Sequence, residues 1–117
     1  MATRSIRART TFLTDAQRVM LQDMLDEQRR FRIEQIEQLT EATGPQARTE
    51  ADIEVQETIL RGARIALGEV ESALQRMADG RYGRCEHCGT ALPLERLEVL
   101  PHATLCMPCQ SDVDHMG

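Results

Sequence analysis

The chain has 117 residues, a formal net charge of −5 and 3% aromatic residues, with no tryptophan. So few aromatic side chains argue against a large globular core, and an acidic chain of this size is a poor candidate for binding duplex DNA through its phosphates. No apolar run approaches the roughly 18 residues that a membrane helix needs, and no apolar segment in the N-terminal stretch resembles a secretory signal. We therefore expect a cytoplasmic protein that is not embedded in a membrane.

Residues 1–12 are polar and basic, without hydrophobic periodicity, and predict a flexible tail. The first helix is indicated by Thr14 and Gln17, which can form a capping box. No Gly or Pro intervenes from there to Ala42, so the pattern predicts a helix of about 29 residues. Its apolar stripe is weak and has three- and four-residue spacing: Leu21, Met24, Gln28, Phe31, Gln35, Leu39 and Ala42.

A turn is predicted near residues 43–48, where Gly44 and Pro45 break the helical pattern. A second helix follows and ends at Asp79, before Gly80. Because the turn is short, the two helices are expected to pack as an antiparallel hairpin over residues 13–79. The second helix has a clear apolar face of three heptad-spaced columns: Ile53, Leu60, Leu67 and Leu74; Gln56, Ala63, Val70 and Met77; Ile59, Ala66 and Ala73. An intermolecular coiled coil would use the same face, but we expect a monomer.

All four cysteines lie in two Cys-x-x-Cys pairs that are separated by seventeen residues. This number and spacing of thiolates is typical of a tetrahedral site for one structural Zn²⁺ ion. A redox pair would need an α/β scaffold that this sequence lacks, and disulfides are not expected in a reducing compartment. Residues 80–110 are therefore predicted to form a small zinc-finger module, with a C-terminal tail at 111–117. The predicted metal ligands are Cys85, Cys88, Cys106 and Cys109.

Four cysteine ligands would leave no open coordination position for water or substrate, so the zinc is expected to be structural. His87 and His102 are then bystanders, and His115 lies in the polar tail. No catalytic set and no phosphate-binding glycine loop stands out, which predicts a protein that is not an enzyme. The segment Ala91–Pro101 is expected to combine a turn, a short helical piece and a strand-like end, with its Leu and Val side chains packed over the zinc and against the hairpin.

The finger sequence resembles the DksA/TraR family of bacterial proteins. The resemblance is carried by Asp79-Gly80-Arg81-Tyr82-Gly83-Arg84-Cys85, by Arg96-Leu97 with Pro101 and Ala103, and by Cys106-Met107-Pro108-Cys109-Gln110. It implies a mainly α protein, a long helical hairpin followed by a four-cysteine zinc finger, that binds RNA polymerase rather than promoter DNA. In that family the zinc region docks on the rim of the enzyme and the hairpin enters the secondary channel.

The resemblance does not extend to the hairpin tip. The family's Asp-x-x-Asp-x-Ala motif is absent, and the acids near the predicted turn are Glu41, Glu50 and Asp52. Two alternatives therefore remain open at this point. One is a zinc-stabilised adaptor or structural protein with another protein partner, and the other is a thiol-based redox or zinc sensor.

Overall fold

The computed structural model of the protein describes residues 13–41 and 49–116. The predicted tail at 1–12 and the predicted tip at 43–48 lie outside these described residues. Within these residues, four helices follow one another: α1 (Asp15–Glu41), α2 (Glu50–Ala78), α3 (Leu94–Val99) and α4 (Met107–Met116). Over the same ranges, β pairing is limited to an isolated antiparallel bridge between Arg84 and Ala91. The predicted fold class, a long helical hairpin followed by a small four-cysteine module, is confirmed.

Helix α1 begins with the predicted capping box. The Gln17 backbone N–H donates to Thr14 Oγ1 at 3.0 Å, and the Thr14 backbone N–H donates to Gln17 Oε1 at 2.9 Å. These two bonds satisfy amides that have no partner inside the helix. Leu13, directly before the cap, is buried in the core and fixes the start of α1 against the rest of the protein.

Helix α2 also begins with a capping box, in this case one that the sequence pattern did not single out. Thr49 is the N-cap, and its hydroxyl accepts from the Asp52 N–H at 3.1 Å while the Asp52 carboxylate accepts from the Thr49 N–H at 3.3 Å. Asp52, which the sequence placed among the acids near the tip, therefore has a role in starting the helix. The helix ends before Gly80, whose φ of +76° is readily available only to glycine.

The two long helices are antiparallel, because contacts pair residues whose numbers rise on one helix and fall on the other. Arg29 Nε lies 3.2 Å from Glu71 Oε2, and the Gln56 side-chain amide donates to the Leu39 carbonyl at 2.6 Å. The middle apolar column predicted for α2 is the most buried: Gln56, Ala63 and Val70 are buried and Met77 is partly buried, while Ala73 is the buried member of a flanking column. Ile53 and Ile59, from the flanking columns, are 44% and 45% exposed.

The stripe predicted for α1 is correct at Leu21 and wrong at Phe31. Leu25, which was not in the predicted stripe, is fully buried with Leu21, whereas Phe31 is 59% exposed. A four-residue step from Leu21 to Leu25 keeps the buried face turned towards α2, and Phe31 falls outside it. Its ring instead lies 5.4 Å from the Arg32 guanidinium carbon.

The hydrophobic core lies where the hairpin meets the cysteine module. It joins the first turns of α1 to the last turns of α2 and to the residues around the cysteines. Its members are Leu13, Leu21, Leu25, Val70, Ala73, Tyr82, Cys85, Leu92, Leu97, Ala103, Cys106 and Cys109. Within the described ranges no helix is both long and apolar enough to cross a membrane.

Candidate metal centre

The first cysteine pair lies on a tight turn that its own backbone closes. The Gly89 N–H donates to the Cys85 carbonyl at 2.9 Å, and the Cys85 N–H donates to the Thr90 carbonyl at 2.8 Å. The Cys88 N–H points at Cys85 Sγ, 3.4 Å away. Gly89 has a φ of +80°, so the sequence needs glycine at this point to reverse the chain.

The second cysteine pair lies at the start of α4. Cys106 immediately precedes the helix, its carbonyl accepts from the Gln110 N–H at 2.8 Å, and Cys109 is in the first turn. Pro108 between them fits this position, because an amide in the first helical turn has no helical partner to lose. The residues that the sequence assigned to a C-terminal tail are mostly helical, since α4 continues to Met116.

The fold brings the four sulfur atoms together, all within 4.8 Å of one another. Four sulfurs about 2.3 Å from one zinc ion in a tetrahedron would be about 3.8 Å apart. The Sγ atoms of Cys88 and Cys106, one from each pair, are 3.7 Å apart. Three of the cysteines are buried and Cys88 is exposed. The donor set and its size therefore fit a zinc ion with four thiolate ligands.

Four thiolates so close together need a cation to offset their negative charge. Burial opposes ionisation of Cys85, but hydrogen bonds from backbone N–H groups, that of Cys88 foremost, outweigh it and lower the pKa of Cys85 to about 6. A hydrogen bond from the Thr90 side chain lowers the pKa of Cys88. The neighbouring Cys106 thiol and burial raise the pKa of Cys109. All four thiols can be thiolates together only if a positive ion offsets their mutual repulsion.

The three histidines do not belong to the group of four cysteines, and the structure gives each of them other surroundings. His87 is exposed on the first turn, and His102 Nε2 lies 3.9 Å from Glu69 Oε1 on α2. His115 Nδ1 is 2.7 Å from the Ser111 carbonyl within α4. None of them belongs to the group of side chains that could hold a metal, as far as the described residues go.

The loop between the two cysteine pairs only partly follows its prediction. The expected short helix is α3, and its Leu97 is fully buried together with Leu92. Val99 and Leu100, which were expected to pack over the zinc, are 77% and 38% exposed. Val99 is the last residue of α3 and Leu100 follows it, and the expected strand-like end is not found there.

Two buried side chains that sequence reasoning did not assign to the site support the finger, Tyr82 from within it and Arg76 from the hairpin. The Tyr82 hydroxyl donates to the Pro101 carbonyl at 2.8 Å, and burial raises the pKa of Tyr82 to about 12. Arg76, in the last turn of α2, is 4% exposed and lies near Glu86 of the first cysteine turn. A sequence signal existed for Arg76, because it follows the buried Ala73 by three residues and so shares its helix face.

These features, a compact turn with two cysteines, a second pair at a helix start and four converging sulfurs, define a four-cysteine zinc finger. Residues 80–115 match the sequence model of the prokaryotic dksA/traR C4-type zinc finger. The chain therefore carries a zinc finger of this type, with four cysteines positioned to bind one metal ion. The DksA/TraR resemblance inferred from the sequence is confirmed.

Individual relatives agree with this assignment. General stress protein 16O of Bacillus subtilis (strain 168) is 45% identical over 58 residues, which are 50% of this chain and 36% of that protein. The RNA polymerase-binding transcription factor DksA of Escherichia coli (strain K12) is 37% identical over 43 residues, 37% of this chain and 28% of that protein. The chain thus spans about a third of the length of the curated relatives it matches.

The similarity to a solved structure extends over both the hairpin and the finger. Transcription factor DksA2 from Pseudomonas aeruginosa superimposes with a TM-score of 0.75 at 28% sequence identity. The match covers 87% of this chain and 86% of that one. The arrangement of a finger at the base of a long hairpin is therefore shared with a transcription factor.

Proposed function

We propose that this protein is a non-enzymatic transcription regulator that binds RNA polymerase and acts through the secondary channel. The observation that carries the proposal is the joining of a dksA/traR-type finger to a long hairpin, in an arrangement like that of DksA2. The partner is inferred from the DksA relatives, which are RNA polymerase-binding transcription factors. We further propose that the protein is cytoplasmic and works as a monomer.

The dimensions and charge of the hairpin support this mechanism. Helix α2 has 29 residues, which at the rise of an α-helix correspond to about 43 Å. The molecule is elongated, measuring 65 × 33 × 22 Å. A narrow acidic rod of this length suits a protein-lined basic channel. The net charge of −5 of the whole chain opposes binding to the phosphates of DNA.

The zinc is proposed to hold the finger together without taking part in chemistry. Cys85, Cys88, Cys106 and Cys109 would fill a tetrahedral shell, and the ion would then have no position for a substrate. The ion's role is to offset the charge of four thiolates and to join the two cysteine turns. The finger can then present a fixed surface to the polymerase at the base of the hairpin.

The decisive experiment is a pull-down of core RNA polymerase by the zinc-loaded protein. We expect binding at micromolar concentrations or below, and competition by a known secondary-channel binder. A variant with Cys106→Ser should bind less, because its finger cannot close around zinc, and a promoter DNA fragment alone should not be retained. No binding to polymerase at micromolar concentrations would refute the proposal.

Neutral substitutions of the acids on either side of the predicted tip test whether the hairpin acts through the secondary channel. Neutral variants Glu41→Gln, Glu50→Gln and Asp52→Asn can be assayed for transcription in vitro, and the asparagine keeps an oxygen able to accept in the α2 capping box. A change in transcription with polymerase binding retained would support action through the channel. If all three variants act like the wild type, an adaptor role with another protein partner is favoured instead.

A thiol sensor is the second candidate function, because Cys88 is exposed while the other three cysteines are buried. The test is the reactivity of the zinc-loaded protein towards a thiol reagent, followed together with zinc release. Zinc that stays bound and thiols that stay unreactive would rule this function out. Rapid modification of Cys88 with loss of the metal would favour it.

A further inference from the structure

Arg76 lies buried at the junction between the hairpin and the finger. It belongs to the last turn of α2, and only 4% of the residue is exposed. Burial lowers the pKa of Arg76, and the charge of Glu86 acts in the opposite direction. Arginine stays protonated in proteins, so this is a buried cation that requires partners around it.

The partners of Arg76 come from both sides of the junction. Its Nη1 donates to the Ser72 hydroxyl at 2.9 Å, which is a contact within α2. Its Nη2 donates to the His102 carbonyl at 3.5 Å, and its Nε lies 3.7 Å from Glu86 Oε2. The last two contacts reach two separate segments of the finger. One guanidinium therefore links the end of the hairpin to both segments.

The position of Glu86 connects this link to the metal centre. Glu86 stands between Cys85 and Cys88, and its backbone N–H donates to the Thr104 carbonyl at 2.7 Å. Thr104 in turn lies two residues before Cys106. A metal ion that holds both cysteine turns together thereby also holds the Glu86 carboxylate at the distance that Arg76 requires.

We propose that Arg76 is a positioning residue that couples metal binding in the finger to the direction of the hairpin. Zinc fixes the first cysteine turn, the turn fixes Glu86, and the Arg76 side chain transmits that position to α2. Coupling between two sites is reciprocal, so loss of this contact weakens metal binding as well as the fixed direction. The inference concerns the protein alone and does not depend on polymerase binding.

The first measurement is zinc affinity by competition with a chelator. We expect Arg76→Gln and Glu86→Gln each to lower the affinity, by about tenfold for Arg76→Gln, as is typical for residues that support metal ligands indirectly. The double variant should resemble Arg76→Gln alone, because both changes remove one shared contact. The matched control is Arg29→Gln, since the Arg29 side chain is 47% exposed and pairs with Glu71 at 3.2 Å within the hairpin. It should leave the affinity unchanged.

The second measurement separates positioning from simple loss of metal. Spin labels on unnatural amino acids at Glu57 of α2 and Asp112 of α4, both exposed, report the distance between hairpin and finger without using cysteine chemistry. At saturating zinc, the wild type should give a narrow distance distribution and Arg76→Gln a broad one. Arg76→Lys keeps the charge but lacks the branched guanidinium, so its distribution should be intermediate.

The proposal is overturned if Arg76→Gln and Glu86→Gln both keep wild-type zinc affinity and a narrow distance distribution. If Arg76→Gln loses helical circular dichroism, the zinc affinity and distance distribution of Glu86→Gln alone decide whether the proposal holds. This variant is expected to fold, because the Glu86 side chain is 47% exposed and its replacement buries no new group. No polymerase is present in either assay. Failure of polymerase binding would therefore leave this inference intact, and failure of this inference would leave the polymerase proposal intact.

Discussion

The base of the hairpin (residues 13–28 and 67–78) buries whole side chains, whereas its distal half (residues 29–41 and 50–66) buries little. At the base, Leu21 and Leu25 are fully covered, and the finger adds Leu92 and Leu97. In the distal half, Gln56 and Ala63 are the residues below 10% exposure among those described. A folded finger thus stabilises one end of the hairpin, and the other end depends on helix caps and a thin seam. Substitutions at the two ends should therefore differ in the size of their effects.

Removing a metal ligand should have the largest effect, and it should be confined to the finger and the base. Cys106→Ser is expected to abolish stoichiometric zinc binding, since structural zinc contributes about 10–16 kcal/mol of apparent binding free energy in finger peptides. Metal analysis should show less than one zinc per chain, and NMR should show loss of dispersed signals from residues 80–110. Circular dichroism should retain most of the helix signal of the hairpin.

The control for this prediction is His87→Ser, which alters an exposed residue on the same cysteine turn. This variant should keep one zinc ion per chain and the dispersed finger signals. Loss of zinc from His87→Ser would mean that the ligand set is not the four cysteines. Retention of stoichiometric zinc by Cys106→Ser would have the same meaning.

Truncating one leucine in each region should separate the two ends of the hairpin. Leu25→Ala removes a fully buried side chain and is expected to lower the free energy of unfolding by about 2–5 kcal/mol. Leu39→Ala changes a partly buried site in the distal half. It should lower the free energy of unfolding by only about 1 kcal/mol, because the Leu39 side chain buries less apolar area than that of Leu25. Urea unfolding of the zinc-loaded protein measures both. Equal losses would contradict the proposed difference between base and distal half.

The buried glutamine should contribute a smaller, local stabilisation. Gln56→Ala deletes the side-chain amide that donates to the Leu39 carbonyl at 2.6 Å, and the expected loss is about 1 kcal/mol. Hydrogen exchange should become faster for amides of the distal half and stay unchanged around Leu21 and Leu97. Glu57→Ala, at an exposed neighbouring position, is the control and should leave the exchange rates as they are.

Two glycine substitutions should have effects no larger than that of Gln56→Ala, with opposite signs in the hairpin and in the finger. Gly62 lies in α2 with open space around it, so Gly62→Ala should raise the free energy of unfolding by about 0.5–1 kcal/mol. Gly89, in the first cysteine turn, has a φ of +80°, so Gly89→Ala should lower the free energy of unfolding by about 1 kcal/mol. Thermal unfolding measures both changes, and a shared sign would contradict the interpretation.

Much of the finger could be predicted because its signals are local. Two Cys-x-x-Cys pairs and the glycine after the first of them specify turns that present sulfur atoms, whatever surrounds them. The capping box at Thr14 and Gln17 is similarly local, since its two hydrogen bonds span three residues. The middle column of α2 was also correct, because seven-residue spacing sustained over about six turns averages out single exceptions.

The errors fall where a residue's surroundings come from another part of the chain. Phe31 matches a helical stripe in sequence, but only the rotation of α1 against α2 decides that Leu25 is buried and Phe31 exposed. Val99 and Leu100 are apolar but exposed, whereas Leu92 and Leu97 of the same segment are fully buried. Hydrophobicity alone does not tell which apolar side chains fill a limited space.

The sequence by itself determined the two long helices, the turn chemistry of the finger and the identity of its four thiols. These depend on residue type and spacing within a few turns of chain. The tertiary structure decided which helix faces meet and how the finger attaches to the hairpin. Arg76 illustrates the difference, because in the sequence it is one of fourteen arginine and lysine residues with nothing to distinguish it. Its burial between Ser72, Glu86 and the His102 carbonyl arises only when segments distant in sequence come together.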